Sequence, residues 1–338
     1  MAAEMGVWFP AVSTGTGTQK FTERLAAAMR KRGIRCEIAW LPHRAEFLPW
    51  TVPAPRPPSW ANIVHINTWL HRRFIPRHLP VVATLHSSTH DPVLDAYKTL
   101  PQKIYHRSWI RRCERAAMQR AAATTAVSDY AASVAAQTLG GTGIVAIHNW
   151  IDTTVFDAPA RQVQHAPLRI LFVGNAARPL KGGGLLLPIM SSLGAGYELW
   201  YTGQPGDLGD AALPSNVRAL GRVQNERDLA ALYADCDVLL FPSRQEGFGL
   251  VALEAQACGL PVIATDCSAL PEVIAQAETG WLCRRDDVQA FADAIRRLRS
   301  DPAAWQAMGQ AARRRAHSLF SEDRAVDRYV ALYRRLLE

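Results

Sequence analysis

The stretch FPSRQEGFGLVALEAQACGLPVIATDCSALPEVI, residues 241–274, decides how the chain folds. An apolar run leads into it and stops at Pro242-Ser243, and two glycines, Gly247 and Gly249, precede a helical pattern. Glycines at a helix start let the backbone approach a ligand and point free N–H groups at it. The stretch therefore predicts a strand, a ligand-facing loop, a helix and a second strand. The predicted bounds are Val238–Phe241, Leu250–Ala257 and Val262–Thr265.

Two carboxylates stand on either side of the predicted loop-to-helix junction. Glu246 precedes the glycines, and Glu254 follows eight positions later, a little over two helical turns, so both are expected along one channel. The plain alternative is that Glu254 is an ordinary carboxylate on a helix face. Its neighbours Leu253 and Ala255 are apolar, however, and a carboxylate in such company needs a partner.

This stretch resembles the signature of the retaining glycosyltransferases of family 4, which have the GT-B fold. The resemblance rests on Pro242-Ser243, the two glutamates, Gly259-Leu260-Pro261-Val262 and Pro271-Glu272. It implies an α/β protein with two Rossmann-like domains facing a central cleft. The expected acceptor-binding domain is 1–160, to which a crossing helix at 321–338 returns, and the expected nucleotide-sugar domain is 166–318. A chain of 338 residues is long enough for two such domains.

Composition and charge narrow the class of protein. The chain is 49% apolar and 20% charged, and it lacks an apolar run of membrane-spanning length, so we expect a cytoplasmic protein. Its six cysteines show no CxxC spacing and are expected to be reduced core residues. Residues 1–160 hold 18 Lys and Arg against 10 Asp and Glu, so the net charge of +8 belongs to the first half.

The densest basic segment is Lys98–Arg120, with seven cations against Glu114 and with Tyr105 and Trp109 interleaved. This pattern is typical of an amphipathic helix that lies on an anionic membrane. The alternative is a solvated basic face. No nucleic-acid-binding motif accompanies the charge, so we expect no nucleic-acid partner.

The first half opens with a predicted strand, Met5–Val12, then Gly15 and Gly17, then a helix from about Gln19. Such a glycine pair is a weak signal by itself. The resemblance places this loop beside the donor diphosphate. His86 follows the predicted strand Val81–Leu85, and the resemblance implies that it contacts the transferred sugar. The alternative is a histidine that fills a loop hydrogen bond. His86, His90 and Asp91 have a spacing that is only a weak signal for zinc.

The second half begins with a predicted strand, Leu168–Val173, and a loop in which Arg178 and Lys181 precede three glycines. Cations, N–H groups and a helix start together predict an anion cradle. The family has an arginine and a lysine here that hold the donor diphosphate. Lys181 matches the lysine, but Asn175 stands where the arginine is expected. Either Arg178 substitutes for it or the diphosphate is held more loosely.

The resemblance implies a metal-independent glycosyltransferase of the hexosyltransferase class (EC 2.4) that needs no cofactor. Its substrates would be a nucleoside-diphosphate sugar and a glycan or lipid-linked acceptor, in bacterial surface polysaccharide or glycolipid assembly. Two other classes remain open: a GT-B nucleotide-sugar epimerase and a catalytically decayed binding protein. The expected catalytic residues are Glu246, His86 and Lys181. The expected donor-binding residues are Gly15, Gly17, Arg178, Lys181, Arg222, Val223, Gly247, Phe248, Gly249, Leu250 and Glu254.

Overall fold

The computed structural model describes residues 4–209 and 212–338 and divides into two α/β units. The first unit consists of Met1–His148 and Asp323–Glu338, and the second of Asn149–Glu322. No helix formed by the described residues is long and apolar enough to cross a membrane. The six cysteines are unpaired thiols, five of them buried and Cys36 partly so, as their apolar surroundings predict.

The first unit is built on a six-stranded, fully parallel sheet with the order β2-β1-β3-β4-β5-β6. The order changes direction between β1 and β3, which is where open α/β sheets place their ligands. The strands are β1 (Gly6–Val12), β2 (Arg35–Leu41), β3 (Ile63–Asn67), β4 (Val81–Leu85), β5 (Ala123–Ala126) and β6 (Val145–Ala146). The helices are α1 (Gly17–Lys31), α2 (Leu100–Tyr105), α3 (Arg111–Arg120) and α4 (Asp129–Leu139).

The central strands β1, β3 and β4 are buried on both faces, as parallel strands covered by helices must be, whereas the edge strand β2 is partly exposed. Trp8, Val64 and Phe74 are 0–2% exposed and form one core with Ala117 of α3. Short 3₁₀ turns occupy the connections His43–Glu46, Pro49–Thr51, Arg72–Phe74 and Pro92–Tyr97.

The predicted single amphipathic helix over Lys98–Arg120 is wrong in detail. A π-helical segment, His106–Ile110, separates α2 from α3 and shifts the helical phase. Three of the arginines are also tied to the fold. Arg111 donates to Thr138 O, Arg115 to Leu139 O, and Arg120 to Pro76 O and Leu79 O, at 2.6–3.2 Å. These cations bind the end of α4 and the loop before β4 and do not form one continuous solvated stripe.

The second unit is built on another parallel six-stranded sheet, with the order β12-β11-β10-β7-β8-β9. Read from β9, this is the doubly wound order of dinucleotide-binding sheets, and it changes direction between β7 and β10. The strands are β7 (Leu168–Phe172), β8 (Tyr197–Tyr201), β9 (Val217–Ala219), β10 (Val238–Phe241), β11 (Val262–Thr265) and β12 (Gly280–Cys283). The helices are α5 (Leu186–Leu193), α6 (Glu226–Ala234), α7 (Leu250–Ala257), α8 (Leu270–Val273), α9 (Val288–Ser300) and α10 (Pro302–Leu319).

The C-terminal helix, α11 (Glu322–Leu337), belongs almost entirely to the first unit. Its Tyr329 and Tyr333 are fully buried, and the Tyr333 hydroxyl contacts Nδ1 of His65. His65 Nε2 lies 2.8 Å from Thr84 Oγ1. Burial lowers the pKa of His65 to about 3, so the imidazole is neutral in this core.

Candidate active site

The direction change of the second sheet brings together the loops that follow β7 and β10. Lys181, from the first loop, lies with its Nζ 2.6 Å from Oε1 of Glu246, from the second. Ser243 Oγ donates to the same carboxylate oxygen at 2.6 Å. The structure therefore brings two of the three residues that the sequence predicts as catalytic into direct contact, at the place where such sheets bind ligands.

Two further hydrogen bonds fix the Glu246 loop to neighbouring segments. Glu246 N donates to Ser268 Oγ at 2.9 Å, and Arg244 N donates to Leu180 O at 2.9 Å. Ser243 is fully buried beneath the loop. Ser268, which follows β11, holds a positive φ of 49°. The sequence does not predict a role for Ser268. The one feature that could have indicated such a role is its position just after a strand.

The glycine-rich loop after β7 is shaped by two glycines that leave no room for a side chain. Gly182 has φ +73°, and a Cβ there would lie 2.1 Å from Pro242 O. A Cβ on Gly183 would lie 2.1 Å from Ala176 O, whereas Gly184 has open space around it. This tight packing of the β7 loop against the end of β10 positions Lys181 beside Glu246.

The cations of this loop stand at a 3₁₀ turn, Pro179–Lys181, with Arg178 at its N-cap. Arg178 and Asn175 are exposed, and Lys181 keeps 29% of its side chain accessible. The sequence predicts an α-helix from about Leu185, and α5 begins at Leu186, after a second 3₁₀ turn. The backbone N–H groups near the cations therefore belong to 3₁₀ turns, and the α-helix dipole begins one turn further on.

Glu254 has the partner that its apolar surroundings require. The carboxylate is 8% exposed on α7, and the hydroxyl of Tyr233, from α6, donates to its Oε2 at 3.2 Å. Burial and the nearby carboxylate raise the pKa of Tyr233 well above its ordinary value, so this hydroxyl keeps its proton and donates. Glu254 thus presents a fixed, partly shielded acceptor group.

The loop between the two glutamates offers its backbone rather than its side chains. Gly249 caps α7 at φ +105°, and a Cβ there would lie 2.8 Å from Leu270 Cδ2. Phe248 is buried, with its ring 5.7 Å from that of Phe320. Leu250 begins α7 and is half-buried.

Arg222 and Val223, which the sequence predicts to bind the donor, follow β9. They line a shallow depression of about 540 Å³ with residues of α6. Among the described residues that line it, neither Lys181 nor the two glutamates occur. The structure thus places this pair at the same end of the sheet but in a separate depression.

In the first unit, the loop after β1 is closed by a side chain that the sequence did not point to. Gln19 Oε1 accepts from Thr14 N at 3.1 Å and from Gly15 N at 2.9 Å. The N–H of Gly15, predicted to face the donor, is therefore already used within the loop. Helix α1 begins at Gly17, two residues earlier than predicted, and its N-cap Thr16 makes no side-chain capping bond.

His86 lies at the carboxyl end of β4, next to β3. Its Nε2 is 2.6 Å from Asn67 Oδ1, and its ring meets Phe21 edge-on at 4.5 Å. Burial lowers the pKa of His86 to about 3, so the imidazole is neutral. Because Asn67 Oδ1 accepts, Nε2 carries the proton and Nδ1 is left as an acceptor. His90 and Asp91 have partners of their own, Glu114 and Tyr130, rather than sharing one with His86.

A cavity of about 380 Å³ opens beside His86, at the direction change of the first sheet. The loop after β1, the His43–Glu46 turn, the segment after β3 and the end of β4 form its walls. Its size falls within the ~300–1,000 Å³ that small-molecule sites occupy. Asn67, Trp69 and Glu46 line it, and none of them was found by sequence reasoning. The only signal for Asn67 was its place at the end of the strand beside β1.

Comparison with known sequence families identifies two segments of the chain. Residues 59–155 match the family Glycosyltransferase Family 4, and residues 167–301 match Glycosyl transferases group 1. The first segment lies almost wholly in the first α/β unit, and the second lies in the second unit and contains Lys181, Glu246 and Glu254.

Similar proteins include the D-inositol 3-phosphate glycosyltransferase of Mycobacterium avium, which is 34% identical over 210 residues. The match covers 56% of this chain and 49% of that protein. The enzyme of the same description from Mycobacterium tuberculosis is 33% identical over 212 residues, covering 56% and 43%. The chain thus spans about half the length of the curated relatives it matches.

Solved structures resemble the whole chain. Sucrose-phosphate synthase from Thermosynechococcus elongatus has a TM-score of 0.78 at 18% identity, covering 98% of this chain and 99% of that one. Anabaena HepE in complex with UDP-glucose has a TM-score of 0.72 at 17% identity, covering 97% and 99%. At such identities the likeness shows the fold, which is the α/β architecture of GT-B glycosyltransferases.

Proposed function

Because the chain belongs to the group 1, family 4 glycosyltransferases, we propose that it moves a sugar from a nucleoside-diphosphate sugar to an acceptor hydroxyl with retention of anomeric configuration. The acceptor would be a glycan or lipid-linked molecule used in surface polysaccharide or glycolipid assembly. The observation that carries this proposal is the contact between Lys181 and Glu246 at the direction change of the second sheet. The lysine suits the negatively charged diphosphate of such a donor, and the neighbouring carboxylate suits the hydroxyls of its sugar.

The reaction leaves negative charge on the departing diphosphate and positive charge on the anomeric carbon. Lys181 and Arg178, with the N–H groups of the glycine-rich turns, would stabilise the diphosphate without a metal ion. Glu246 and the N–H groups of Gly247–Gly249 would orient the sugar hydroxyls. Glu254 would accept hydrogen bonds from the ribose hydroxyls. The acceptor would attack on the face from which the diphosphate leaves.

A solved structure of the same fold indicates which donor to test first. HepE, which shares the fold, has been solved with UDP and with UDP-glucose. A uridine nucleotide is therefore the first to try, followed by guanosine and thymidine nucleotides.

The experiment is a thermal-shift screen of the purified protein against UDP-, GDP- and TDP-sugars, followed by product analysis with and without acceptor. We expect one nucleotide class to raise the melting temperature and a glycoside of unchanged anomeric configuration to form only with acceptor present. Inversion at the anomeric carbon would contradict the retaining mechanism. If an isomerised nucleotide sugar formed without acceptor, the activity would be epimerisation and not glycosyl transfer. Failure of all three classes to bind would refute the transferase proposal.

We also propose that the first unit meets its acceptor at an anionic membrane surface, which makes the protein peripheral. We do not assign the membrane contact to Arg111, Arg115 and Arg120, because their guanidinium groups are bonded to backbone carbonyls. Nearby, large apolar side chains are solvent-exposed by 44–70%. We call them the apolar surface: Phe47, Leu48, Trp50, Leu100 and Ile104.

Ring contacts and a basic groove extend this apolar surface. Phe47 lies 5.7 Å from the ring of Tyr105, and Trp50 lies 6.3 Å from that of Trp109, so the side chains come from adjoining elements. Trp50 also lines a groove with Arg72, Arg73 and Arg77. Exposed apolar groups beside arginines suit a membrane interface that carries negative charge.

A further inference from the structure

The cavity beside His86 has an unusual charge balance for a protein with a net charge of +8. Among the described residues that line it there is no lysine or arginine, and its one carboxylate is Glu46. The Glu46 side chain is 11% exposed, and its Oε1 accepts from the hydroxyl of Tyr105 at 3.4 Å. His43 also lines the cavity, with its Nε2 3.8 Å from Glu46 Oε2, so at a pH where histidines are uncharged a phosphate group would meet an acid and no matching cation.

The polar groups that do line the cavity suit hydroxyl groups. Thr14, Thr16, Thr68 and Ser87 contribute hydroxyls, each of which both donates and accepts. The neutral His86 has Nδ1 as an acceptor, since its Nε2 is bonded to Asn67. A ligand with several hydroxyls finds both kinds of partner here, whereas a fully ionised phosphate has no hydrogen to donate to the acceptors Glu46 and His86 Nδ1.

One wall of the cavity is the ring of Trp69, and a buried acid holds it in place. The indole Nε1 of Trp69 donates to Glu114 Oε1 at 3.1 Å, and Thr68 Oγ1 lies 3.4 Å from the same oxygen. Glu114 is 1% exposed on α3, and its other oxygen lies 2.6 Å from His90 Nε2. Glu114 thus ties the segment after β3 to the loop after β4 and holds the indole of Trp69 at the cavity.

We propose that this cavity binds the acceptor as an uncharged ring carrying several hydroxyls, a sugar or a cyclitol without a phosphate ester. This rests on the proposed transferase function and names its acceptor class. It sets the chain apart from the relatives described as D-inositol 3-phosphate glycosyltransferases, whose name specifies a phosphorylated acceptor. One feature among the described residues favours an anion here: the N-terminus of α1, whose Thr16 and Thr18 line the cavity, so the proposed preference requires the Glu46 carboxylate to outweigh it.

The test compares paired probes at pH 8, where ordinary histidines are uncharged. The pairs are myo-inositol with inositol 3-phosphate, and methyl mannoside with mannose 6-phosphate. Saturation-transfer NMR measures binding to the donor-free protein, and product formation measures kcat/KM with the donor found by thermal shift. We expect the uncharged member to be preferred by about tenfold or more. Glu46→Lys should reverse the preference, and Trp69→Ala should weaken both members of a pair.

Matched variants on the same unit serve as controls. Glu37→Gln and Trp40→Phe alter an exposed carboxylate and an exposed indole of β2 that do not line the cavity, and both should leave the preference unchanged. The wild-type comparison is decisive without any variant. Equal or better use of the phosphorylated member would overturn the inference while leaving the transferase function intact. Failure of every uncharged probe to bind would also overturn it. Absence of donor binding would instead refute the proposed function.

Discussion

Lys181 Nζ lies 2.6 Å from Glu246 Oε1, although 65 positions separate the two residues in the chain. The pair joins the loops after β7 and β10, and both side chains are partly shielded, at 29% and 14% exposure. A charge-assisted bond of this kind is short and directional. In the donor-free protein, the carboxylate therefore keeps the ammonium group aimed at the place where a diphosphate is proposed to bind.

The first prediction concerns the cations of the β7 loop. Lys181→Ala should weaken nucleoside-diphosphate binding by about 10–100-fold, because a hydrogen bond to a charged group contributes about 1.5–3 kcal/mol. Arg178→Ala should weaken it too if Arg178 replaces the arginine that the family has where this chain has Asn175. Calorimetry with the nucleotide found by thermal shift measures both, and Arg314→Ala, on the exposed face of α10, is the control. Unchanged affinity and turnover for Lys181→Ala would remove the lysine from the site.

The second prediction separates the two glutamates. Glu246→Gln should reduce kcat on the order of 100-fold with little change in donor affinity, because its contacts matter most as charge develops. Glu254→Gln should weaken donor binding about tenfold and leave kcat nearly unchanged, since ribose contacts are alike in ground and transition states. Steady-state kinetics decide this, with the exposed Glu278→Gln as control. Similar small effects of both variants on both constants would refute the division of roles.

Local pattern was enough to predict much of the second unit. The bounds of β10, α7 and β11 match those predicted, since apolar runs there end at proline or glycine. The same reasoning found β4 to the residue. In these segments, burial on both faces, turn-forming residues and the helical period all favour the same secondary structure. The GT-B fold expected from the resemblance is likewise confirmed.

The contacts that shape the candidate site could not be predicted in this way. Some depend on the conformation of one side chain: Gln19 is four residues from Gly15, but no pattern indicates that its side chain accepts from the Gly15 N–H group. Others join distant segments. Glu114 reads as one acid in a basic run, yet it bonds Trp69 and lies against His90. The π-helical segment His106–Ile110 has no periodic signature and changes which arginines face solvent. The roles of the site residues remain predictions.

The third prediction tests the close packing of the glycine-rich loop. Gly182→Ala should destabilise the fold by about 2–3 kcal/mol, because the new Cβ meets a carbonyl at 2.1 Å and φ is positive. Donor affinity should fall with it, since the loop places Lys181. Gly184→Ala, which has open space and an ordinary φ, is the matched control and should be nearly silent. Chemical denaturation and calorimetry measure the two effects, and equal behaviour of the two variants would contradict the packing argument.

The fourth prediction concerns acid stability. The pKa of His65 is lowered to about 3 in the folded protein from an ordinary value of 6.5, so the unfolded chain binds the proton first. Stability that is full above about pH 6.5 is therefore lost progressively as the pH falls toward 3. From pH 7 to 5 the loss from His65 should be on the order of 2 kcal/mol.

Denaturation curves at pH 7 and 5 measure this loss. His65→Gln should be less stable at pH 7, since Tyr333 and Thr84 lose a partner, but should depend less on pH. His78→Gln, on an exposed histidine, should keep the wild-type dependence. An unchanged slope for His65→Gln would show that other groups cause the acid sensitivity.

The fifth prediction places the membrane contact on the apolar surface and its basic groove. Sedimentation with anionic vesicles should show binding that weakens with added salt, since each arginine near such a surface contributes ~1 kcal/mol. Replacing Leu48 and Trp50 by serine should reduce binding at all salt concentrations, because it removes apolar contact. Replacing Arg72, Arg73 and Arg77 by glutamate should abolish the salt-sensitive part.

Two controls distinguish this surface from the basic run that the sequence points to. Trp40→Ser removes an indole that is 40% exposed on β2, outside the apolar surface, and should leave vesicle binding intact. Arg112→Glu changes an exposed cation of α3 that lies outside the groove, and its effect should be small. If Arg112→Glu weakened binding as much as the groove variant, the contact would run along α3 instead. If the wild-type protein ignored anionic vesicles at low salt, the acceptor would have to reach the first unit from solution, and the exposed aromatic groups would need another partner.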